Sequence, residues 1–407
     1  MKKYKIATLG CRTNQYESQV FSDQLQREGY RRAHHDEMAD ICIVNTCSVT
    51  QSADKRSLYQ VRKLLRENNP EKLIVTGCFA KHLKGVAGVT NVIPNMQKEK
   101  LLPLVFPERK WSKFRIEQFD AHTRAFVKIQ DGCNSFCSYC VIPFVRGRSR
   151  SKTIFDIVHE VETLVQNGYK EVVLTGVNIG DFGKDHVPRV SLADLICQVS
   201  RVEGLKRLRL SSIDPNAVND ELIAAILSGE NICPSLHISL QSGSNVVLKR
   251  MRREYTRQEF LATIAKLLEK DPDFTFAIDL IVGFPGERQE DFQETLDLIE
   301  TGLFVNAHLF PYSNRPKTRA SRMLNQVPKR VVEEQKQQLA EAQSRASFRL
   351  RNRYLGREFE VLVERKNRGY TKHCLPIAIP GKEIRSNEMV GVKCVENRKE
   401  GLVGHIL

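Results

Sequence analysis

FVKIQDGCNSFCSYC, residues 126–140, begins as a short apolar strand over Phe126–Gln130 and ends in three cysteines spaced Cys133-x3-Cys137-x2-Cys140. Three thiolates this close hold three irons of a cubane 4Fe–4S cluster and leave the fourth iron without a protein ligand. An open iron of that kind chelates the amino and carboxylate groups of S-adenosylmethionine. One electron from the cluster then releases a 5′-deoxyadenosyl radical, so that a cofactor carries the hard step. Zinc is the alternative, but a tetrahedral zinc site wants four ligands and usually pairs C-x2-C groups. No fourth cysteine lies nearby, and the closest histidines are His122 and His159.

C-terminal to this stretch, strand and helix patterns alternate. Strands are expected at Phe126–Gln130, Glu171–Thr175, Arg207–Ser211, Leu236–Leu240, Thr275–Val282 and Ala307–Phe310. Helical patterns over Ile154–Gln166, Leu192–Val202, Asp220–Leu227, Arg257–Glu269 and Glu290–Glu300 lie between them. Six βα units in about 190 residues fall short of a closed eight-unit barrel, which takes about 250. Residues 123–327 are therefore expected to form an open, partial (β/α)6 barrel.

On the N-terminal side, strands at Tyr4–Leu9, Ile41–Asn45, Lys72–Thr76 and Val89–Ile93 alternate with helical patterns over Gln15–Glu28 and Ser52–Asn68. That order implies a doubly wound parallel sheet over residues 1–105, in which ligands collect beyond the carboxyl ends of the strands. Cys11, Cys47 and Cys78 each follow directly on such an end, so three thiols distant in sequence converge on one edge. Residues 106–122 are polar and irregular, hold the only Trp, and read as a linker.

Pro328 opens a helix of roughly 25 residues, within 328–355, that carries Val331, Val332, Leu339 and Leu350 on its apolar stripe and stops at Gly356. Residues 356–407 change period to short strands at Phe359–Glu364, Tyr370–Ile379, Met389–Val395 and Leu402–Ile406, read as a small all-β barrel. The expected fold class is α/β with that barrel appended.

The formal charge of +15 is unevenly placed: Arg315 to Lys372 hold 16 Lys and Arg against 6 Glu and no Asp, a net +10. Arg146, Arg148, Arg150 and Lys152 form a second basic cluster. A solvated surface is the bland reading; a polyanionic partner is the sharper one, because neutralising phosphates releases condensed counterions. No apolar stretch approaches the roughly 20 residues that span a bilayer, so a cytoplasmic protein without a membrane partner is expected. Eleven cysteines in that compartment argue for ligation or burial rather than disulfides. Cys42, Cys197, Cys233, Cys374 and Cys394 have no ligand-like spacing and are assigned to packing. The ten histidines form no pattern, and no hydrolase constellation is supported.

Thr8–Ser18 (TLGCRTNQYES), Asn45–Val49 (NTCSV) and Thr76–Cys78 (TGC), taken with the Cys133–Cys140 loop, resemble the methylthiotransferase family of radical S-adenosylmethionine enzymes, across essentially the whole chain. The resemblance implies that Cys11, Cys47 and Cys78 bind an auxiliary 4Fe–4S cluster that presents sulfur or methylthio for transfer. It also implies that Cys133, Cys137 and Cys140 hold the radical cluster. Further family stretches lie on barrel strand ends: LTGVN (174–178), SSIDP (211–215), SLQSGS (239–244) and DLIVGFPG (279–286). There Gly176 would let the backbone approach the methionine end of S-adenosylmethionine. Asn178, Ser212 and Gln241 offer neutral hydrogen bonds, and Val282 would flank the adenine. Each of these five reads equally well as a turn or packing residue.

VIPFVRGRSRS (141–151), LFPYSNRPKTRA (309–320) and NQYE (14–17) look most like the family members acting on N6-threonylcarbamoyladenosine beside the tRNA anticodon. Isopentenyladenosine members usually carry Met-Asn-Glu near the first cysteine, and ribosomal-protein members Pro-Lys-Asn. Lys317 stands where Gly is common. The last strands resemble the TRAM module, a small barrel that binds tRNA in this family, on Gly369-Tyr370-Thr371 and strand spacing. Arg365, Lys366, Arg368 and Lys372 would meet phosphates there rather than read bases. Arg146, Arg148, Arg150 and Arg315 are the expected RNA contacts of the barrel.

The resemblance thus implies hydrogen abstraction from adenine carbon 2, sulfur insertion, and methyl transfer from a second S-adenosylmethionine. An electron donor such as a flavodoxin or ferredoxin is implied by the reduction, and the chain is taken as a monomer. The same chemistry on isopentenyladenosine or a ribosomal-protein aspartate stays open, as does a non-catalytic iron–sulfur RNA-binding protein.

Overall fold

The computed structural model describes residues 1–119 and 122–407; Asp120 and Ala121, inside the expected linker 106–122, lie outside the described residues. Strands β1 (Lys3–Thr8), β2 (Arg31–Arg32), β3 (Ile41–Thr46), β4 (Lys72–Gly77) and β5 (Asn91–Val92) form one parallel sheet in the order β2-β1-β3-β4-β5. Every residue of β3 (ICIVNT) is buried, as a central parallel strand covered on both faces must be. Its side chains alternate between two apolar clusters. Ile41 and Ile43 join Tyr4, Phe21 and Leu101 on one face. Cys42 and Val44 join Val61, Leu73 and Val75 on the other. Helices α1 (Arg12–Arg27) and α2 (Gln51–Asn68) make the crossovers.

After α3 (Leu101–Val105) the chain runs irregularly, as expected, yet it is pinned rather than loose. Trp111 donates its indole N–H to the Phe106 carbonyl at 3.1 Å. The Ile116 and Glu117 amides donate to Glu160 and Asp23 at 2.8 and 3.0 Å.

The central region begins with β6 (Arg124–Lys128), followed by a small antiparallel pair, β7 (Gln130–Asp131) and β8 (Arg150–Ser151), around α4 (Ile142–Val145). Then come α5 (Ile154–Gln166), β9 (Glu171–Thr175), α6 (Leu192–Val199), β10 (Arg207–Leu210), α7 (Asp220–Leu227) and β11 (Ser235–Gln241). The region ends with α8 (Asn245–Met251), α9 (Arg257–Lys270), β12 (Thr275–Val282), α10 (Gln289–Glu300) and β13 (Phe304–Pro311). Two parallel sheets, β6-β9-β10 and β11-β12-β13, are joined by single bridges at Leu208–Ile232 and Ile213–Ile238. This makes six strands of an incomplete barrel whose open edges are β6 and β13. Capping boxes at Ser191/Asp194 and Thr256/Glu259 start α6 and α9, each contributing about 1 kcal/mol.

The open edges are covered from outside the barrel. Tyr16 and Val20 of α1 join its apolar core, as do Val332, Leu339 and Ala342 of α11 (Lys329–Arg351). Beyond α11, β14 (Glu358–Arg365), β15 (Arg368–Thr371), β16 (Pro376–Ala378), β17 (Met389–Arg398) and β18 (Gly401–Ile406) close into a five-stranded barrel. The single strand expected over Tyr370–Ile379 is two strands. Cys374 turns the chain with φ +61°, and Pro376 has no N–H with which to continue a ladder.

This small barrel plugs the floor of the large one. Arg207 donates to the Tyr370 and Glu360 carbonyls at 2.8 and 2.6 Å. Arg209 donates to those of Lys372 and Thr371 at 3.2 and 3.3 Å. No helix among the described residues is long and apolar enough to cross a membrane.

Candidate active site

Gln130, fully enclosed at the end of the first barrel strand, sets the position of the Cys133–Cys140 loop. Its side-chain amide donates to the Gly132 carbonyl at 2.8 Å, while its carbonyl oxygen accepts from the Val177 and Asn178 amides at 3.1 and 2.9 Å. The loop is thereby tied to the end of β9. The Ser138 hydroxyl and amide donate to the carbonyls of Arg250 and Met251 at 2.8 and 3.0 Å, tying it to the end of α8.

Four donors reach the sulfurs: the Ser135 amide and, at longer range, the Asn178 side chain to Cys133 at 3.4 and 4.0 Å, the Ile142 amide to Cys140 at 3.5 Å, and Arg253 Nη1 to Cys137 at 3.3 Å. Arg253 is held in turn by Asp214 at 2.9 Å and by the Ser239 carbonyl at 2.7 Å. Burial, followed by the neighbouring Cys137, pushes the Cys140 thiol up to about 12. A bound iron cation reverses that balance and deprotonates its ligands. Half-buried sulfurs with N–H and guanidinium donors aimed at them fit an iron–sulfur cluster.

The second trio is assembled by the parallel sheet. Cys11, Cys47 and Cys78 follow β1, β3 and β4, as expected. Cys47 and Cys78 are buried and Cys11 is exposed. Gly10 permits the approach, since a Cβ there would stand 2.7 Å from the Cys47 sulfur. Burial raises the Cys47 thiol to about 11, with Cys78 and Cys11 adding to the rise.

Beneath the trio, the Asn14 amide donates to the Leu9 and Thr46 carbonyls at 2.6 and 3.0 Å, and Asn45 donates back to the Asn14 carbonyl at 3.0 Å. Three sulfur donors sharing one strand edge fit a second cluster with one iron left open.

Arg146 joins the two trios. Its guanidinium donates to Asn14 at 2.6 Å, Glu17 at 3.2 Å and Asp131 at 2.8 Å, and its positive charge opposes the rise that burial imposes on the Cys78 thiol. Glu17 further meets Lys98 at 2.6 Å and Lys128 at 3.3 Å. Burial alone would raise both carboxyls. The cations Lys98, Arg146 and Lys128 instead hold Glu17 down near 2, and Arg146, Lys128 and Arg150 hold Asp131 far below its usual range.

Two expected RNA contacts are therefore corrected. Arg146, 1% exposed, and Arg315, 6% exposed, face carboxylates inside the protein; Arg315 meets Asp54 at 2.7 Å. Arg150 is engaged by Asp131 at 3.0 Å, and Lys372 by the Glu230 carbonyl at 2.6 Å. Arg148 is exposed and stacks on Phe136 at 4.6 Å. Arg365, Lys366 and Arg368 line an open groove of about 890 Å³ on the small barrel.

Of the five residues expected around S-adenosylmethionine, Asn178 lines a cleft of about 250 Å³ with Ser135, Asp214, Arg253 and Tyr255, and its amide lies 4.0 Å from the Cys133 sulfur. Gly176 is packed against Gln130 and Ile179, where a Cβ would lie 3.0 Å from each. Gln241 ends β11 at φ +76°, and Val282 is buried with its carbonyl bonded to the Tyr312 amide at 2.8 Å. Ser212 points elsewhere, its hydroxyl sharing a hydrogen bond with His237 Nδ1 at 3.1 Å inside the barrel. Gln130, Asp214 and Arg253 were not singled out in the sequence; none carries a local spacing that marks it.

Residues 127–299 match the family model described as the radical SAM superfamily, and residues 3–94 match that of the uncharacterized protein family UPF0004. A Chlamydia pneumoniae protein named threonylcarbamoyladenosine tRNA methylthiotransferase MtaB is 41% identical over 99% of this chain and 98% of its own length. A Bacillus subtilis protein of the same name is 35% identical over 96% and 93%. A Caldicellulosiruptor saccharolyticus protein named tRNA-2-methylthio-N(6)-dimethylallyladenosine synthase is 34% identical over 97% and 87%.

Among solved structures, the radical S-adenosylmethionine methyltransferase TsrM of Kitasatospora setae superimposes with a TM-score of 0.57 at 12% identity, over 78% of this chain and 76% of that one. That likeness is one of fold. With full-length relatives at this identity, the chain belongs to the methylthiotransferase family of radical S-adenosylmethionine enzymes.

Proposed function

We propose that this transferase methylthiolates carbon 2 of N6-threonylcarbamoyladenosine next to the anticodon of tRNA. The observation that carries this reading is the run of relatives bearing that activity in their name, at 41%, 35% and 40% identity over 89–99% of this chain. The NQYE and LFPYSNRPKTRA stretches support it.

When bound, S-adenosylmethionine and two 4Fe–4S clusters supply the radical, the sulfur and the methyl group. The chain's own residues do the rest. Cys133, Cys137 and Cys140 hold the first cluster, and Cys11, Cys47 and Cys78 the auxiliary one. Arg253 steadies Cys137 and lines the cleft beside Asn178 that would take S-adenosylmethionine. The buried Glu17–Arg146–Asp131 network ties the segment after Cys11 to the segment before Cys133 and so holds one trio against the other. Arg365, Lys366 and Arg368 meet RNA phosphates, and a small acidic electron carrier of the flavodoxin or ferredoxin kind delivers the reducing electrons to a monomer.

The test is a nucleoside digest of tRNA from cells with and without the gene, read by mass spectrometry. Selective loss of 2-methylthio-N6-threonylcarbamoyladenosine is expected. Loss of the isopentenyl counterpart would move the substrate to that of the relatives at 32–35% identity. No change in either nucleoside would overturn the tRNA reading.

A further inference from the structure

Side chains alternate across a strand, so one in two faces the barrel lumen. Arg209 of β10 donates to the Ser235 hydroxyl of neighbouring β11 at 2.6 Å, which puts the two side chains on the same, inward face. Ser235, His237 and Ser239 belong to it on β11, with Asp279 on β12 and Asn306 and His308 on β13. On the other side are Glu171 and Val173 of β9, and Phe126 of β6, which is registered with Val173.

The charges on this wall are compensated nearly everywhere. Glu171 takes Arg209 at 2.7 Å and Arg207 at 3.6 Å. Arg124 takes Glu364 at 2.7 Å. Asp279 takes His237 Nε2 at 2.8 Å, and the other ring nitrogen shares a hydrogen bond with the Ser212 hydroxyl at 3.1 Å, so both nitrogens of His237 are engaged.

Arg12 is the exception. It begins α1 one residue after Cys11 and enters the lumen through the open edge beside β6, where its guanidinium lies 5.5 Å above the Phe126 ring. Its charge is felt by Asp279 and His308, yet the guanidinium makes no hydrogen bond or ion pair with any described residue. The other arginines enclosed around the barrel, Arg146, Arg207, Arg209, Arg253 and Arg315, each face a carboxylate within 4 Å. A partly enclosed guanidinium with five free N–H donors is a receptor for a carboxylate. Opposite it, His308 and Asn306, 3.2 Å apart and open to the lumen, offer neutral donors and acceptors.

We propose that Arg12, with His308 and Asn306 facing it, forms the subsite that receives the carboxylate-bearing N6 substituent of the substrate adenosine. This rests on the threonylcarbamoyladenosine reading above. Arg12 pairs the threonyl carboxylate, and the His308–Asn306 edge meets the hydroxyl and carbamoyl groups. Because Arg12 adjoins Cys11, an adenosine anchored this way is held beside the auxiliary trio. The same residue sets specificity. A hydrocarbon substituent leaves the guanidinium unpaired, and sites built for a polar partner reject analogues that lack it far more strongly than apolar pockets discriminate by size.

The experiment uses anticodon stem-loop RNA carrying N6-threonylcarbamoyladenosine as the free acid or as its methyl ester. Dissociation constants and KM are measured for the cluster-loaded wild type, Arg12→Gln and Arg12→Lys, with iron content recorded for each. The wild type is expected to favour the acid over the ester by about tenfold or more. Arg12→Gln should erase that preference by weakening acid binding alone, and Arg12→Lys should keep part of it.

A wild type indifferent to esterification overturns the proposal, and this comparison stands even if a variant loses iron. Equal weakening of acid and ester by Arg12→Gln overturns it too, and assigns the guanidinium to an RNA phosphate. A wild type that modifies neither RNA but accepts an isopentenyladenosine stem-loop sinks the substrate reading, and the subsite with it.

Discussion

Glu287 shows how one half-buried carboxyl carries a pH signature. It accepts the Gly283 amide at 2.7 Å, but burial outweighs that bond and lifts its pKa from an ordinary 4.5 to about 7. The folded chain thus keeps a proton that the unfolded chain releases, so stability is full below pH about 4.5 and falls as pH rises towards about 7. Glu287→Gln keeps an acceptor for Gly283 without the charge. It should stabilise the protein by about 1–3 kcal/mol at pH 8 and leave it unchanged at pH 4.5, as read by thermal melts at the two pH values. Arg253 acts at the same scale. Its guanidinium donates to the Cys137 sulfur, and donors to cluster sulfurs raise reduction potential. Arg253→Met should make the potential of the cluster on that loop more negative by some tens of millivolts in a spectroelectrochemical titration. The two cysteine trios were legible in the sequence because thiols at C-x3-C-x2-C spacing, or directly after strand ends, stand out from cysteines scattered through apolar segments. Arg253 was not, because its meaning lies in Cys137, Asp214 and Ser239, which are separated along the chain and meet only in the fold.

At the level of elements, the parallel sheet works as a device for bringing loop ends together. β1, β3 and β4 are adjacent and in register, so residues a few positions beyond their ends share one edge. Gly77 closes β4 with φ +96°, and a Cβ there would sit 2.3 Å from the Thr46 carbonyl oxygen. Gly77→Ala is expected to cost about 1–3 kcal/mol of strain and to move Cys78, the next residue. A lower melting temperature together with iron content reduced by about half would report both effects. Normal iron with only a lower melting temperature would show that the strand end relaxes without displacing the thiol. Periodicity placed these strands to within a residue or two, since a buried parallel strand is a short apolar run bounded by polar turns. It failed at Tyr370–Ile379, where apolar content continued through a turn that Cys374 makes in the left-handed region.

For the whole molecule, the charged network around Glu17 is what locks the sheet domain to the barrel. Glu17, Lys98 and Arg146 are buried and come from three separate segments. Glu17→Gln would leave Lys98 and Arg146 under-compensated and should cost about 3–5 kcal/mol in denaturant titration. On the outside, Arg365 and Arg368 line a groove on the small barrel. Replacing both with Gln should weaken RNA binding evenly across sequences and reduce the slope of log affinity against log salt by about 2. The α/β class, the order of strands and helices, and the two cysteine trios could all be read along the chain. Those depend on period, length and the chemistry of ligands close together in the chain. Only the tertiary structure decided what the charges do. Arg146 and Arg315 read as basic surface, yet Glu17 lies 129 residues from Arg146, and Asp54 is more remote still from Arg315. A charge carries no sign of its partner in one dimension. The sequence could therefore give the excess of positive charge, while the fold alone separated the paired arginines from Arg12, which has no partner among the described residues.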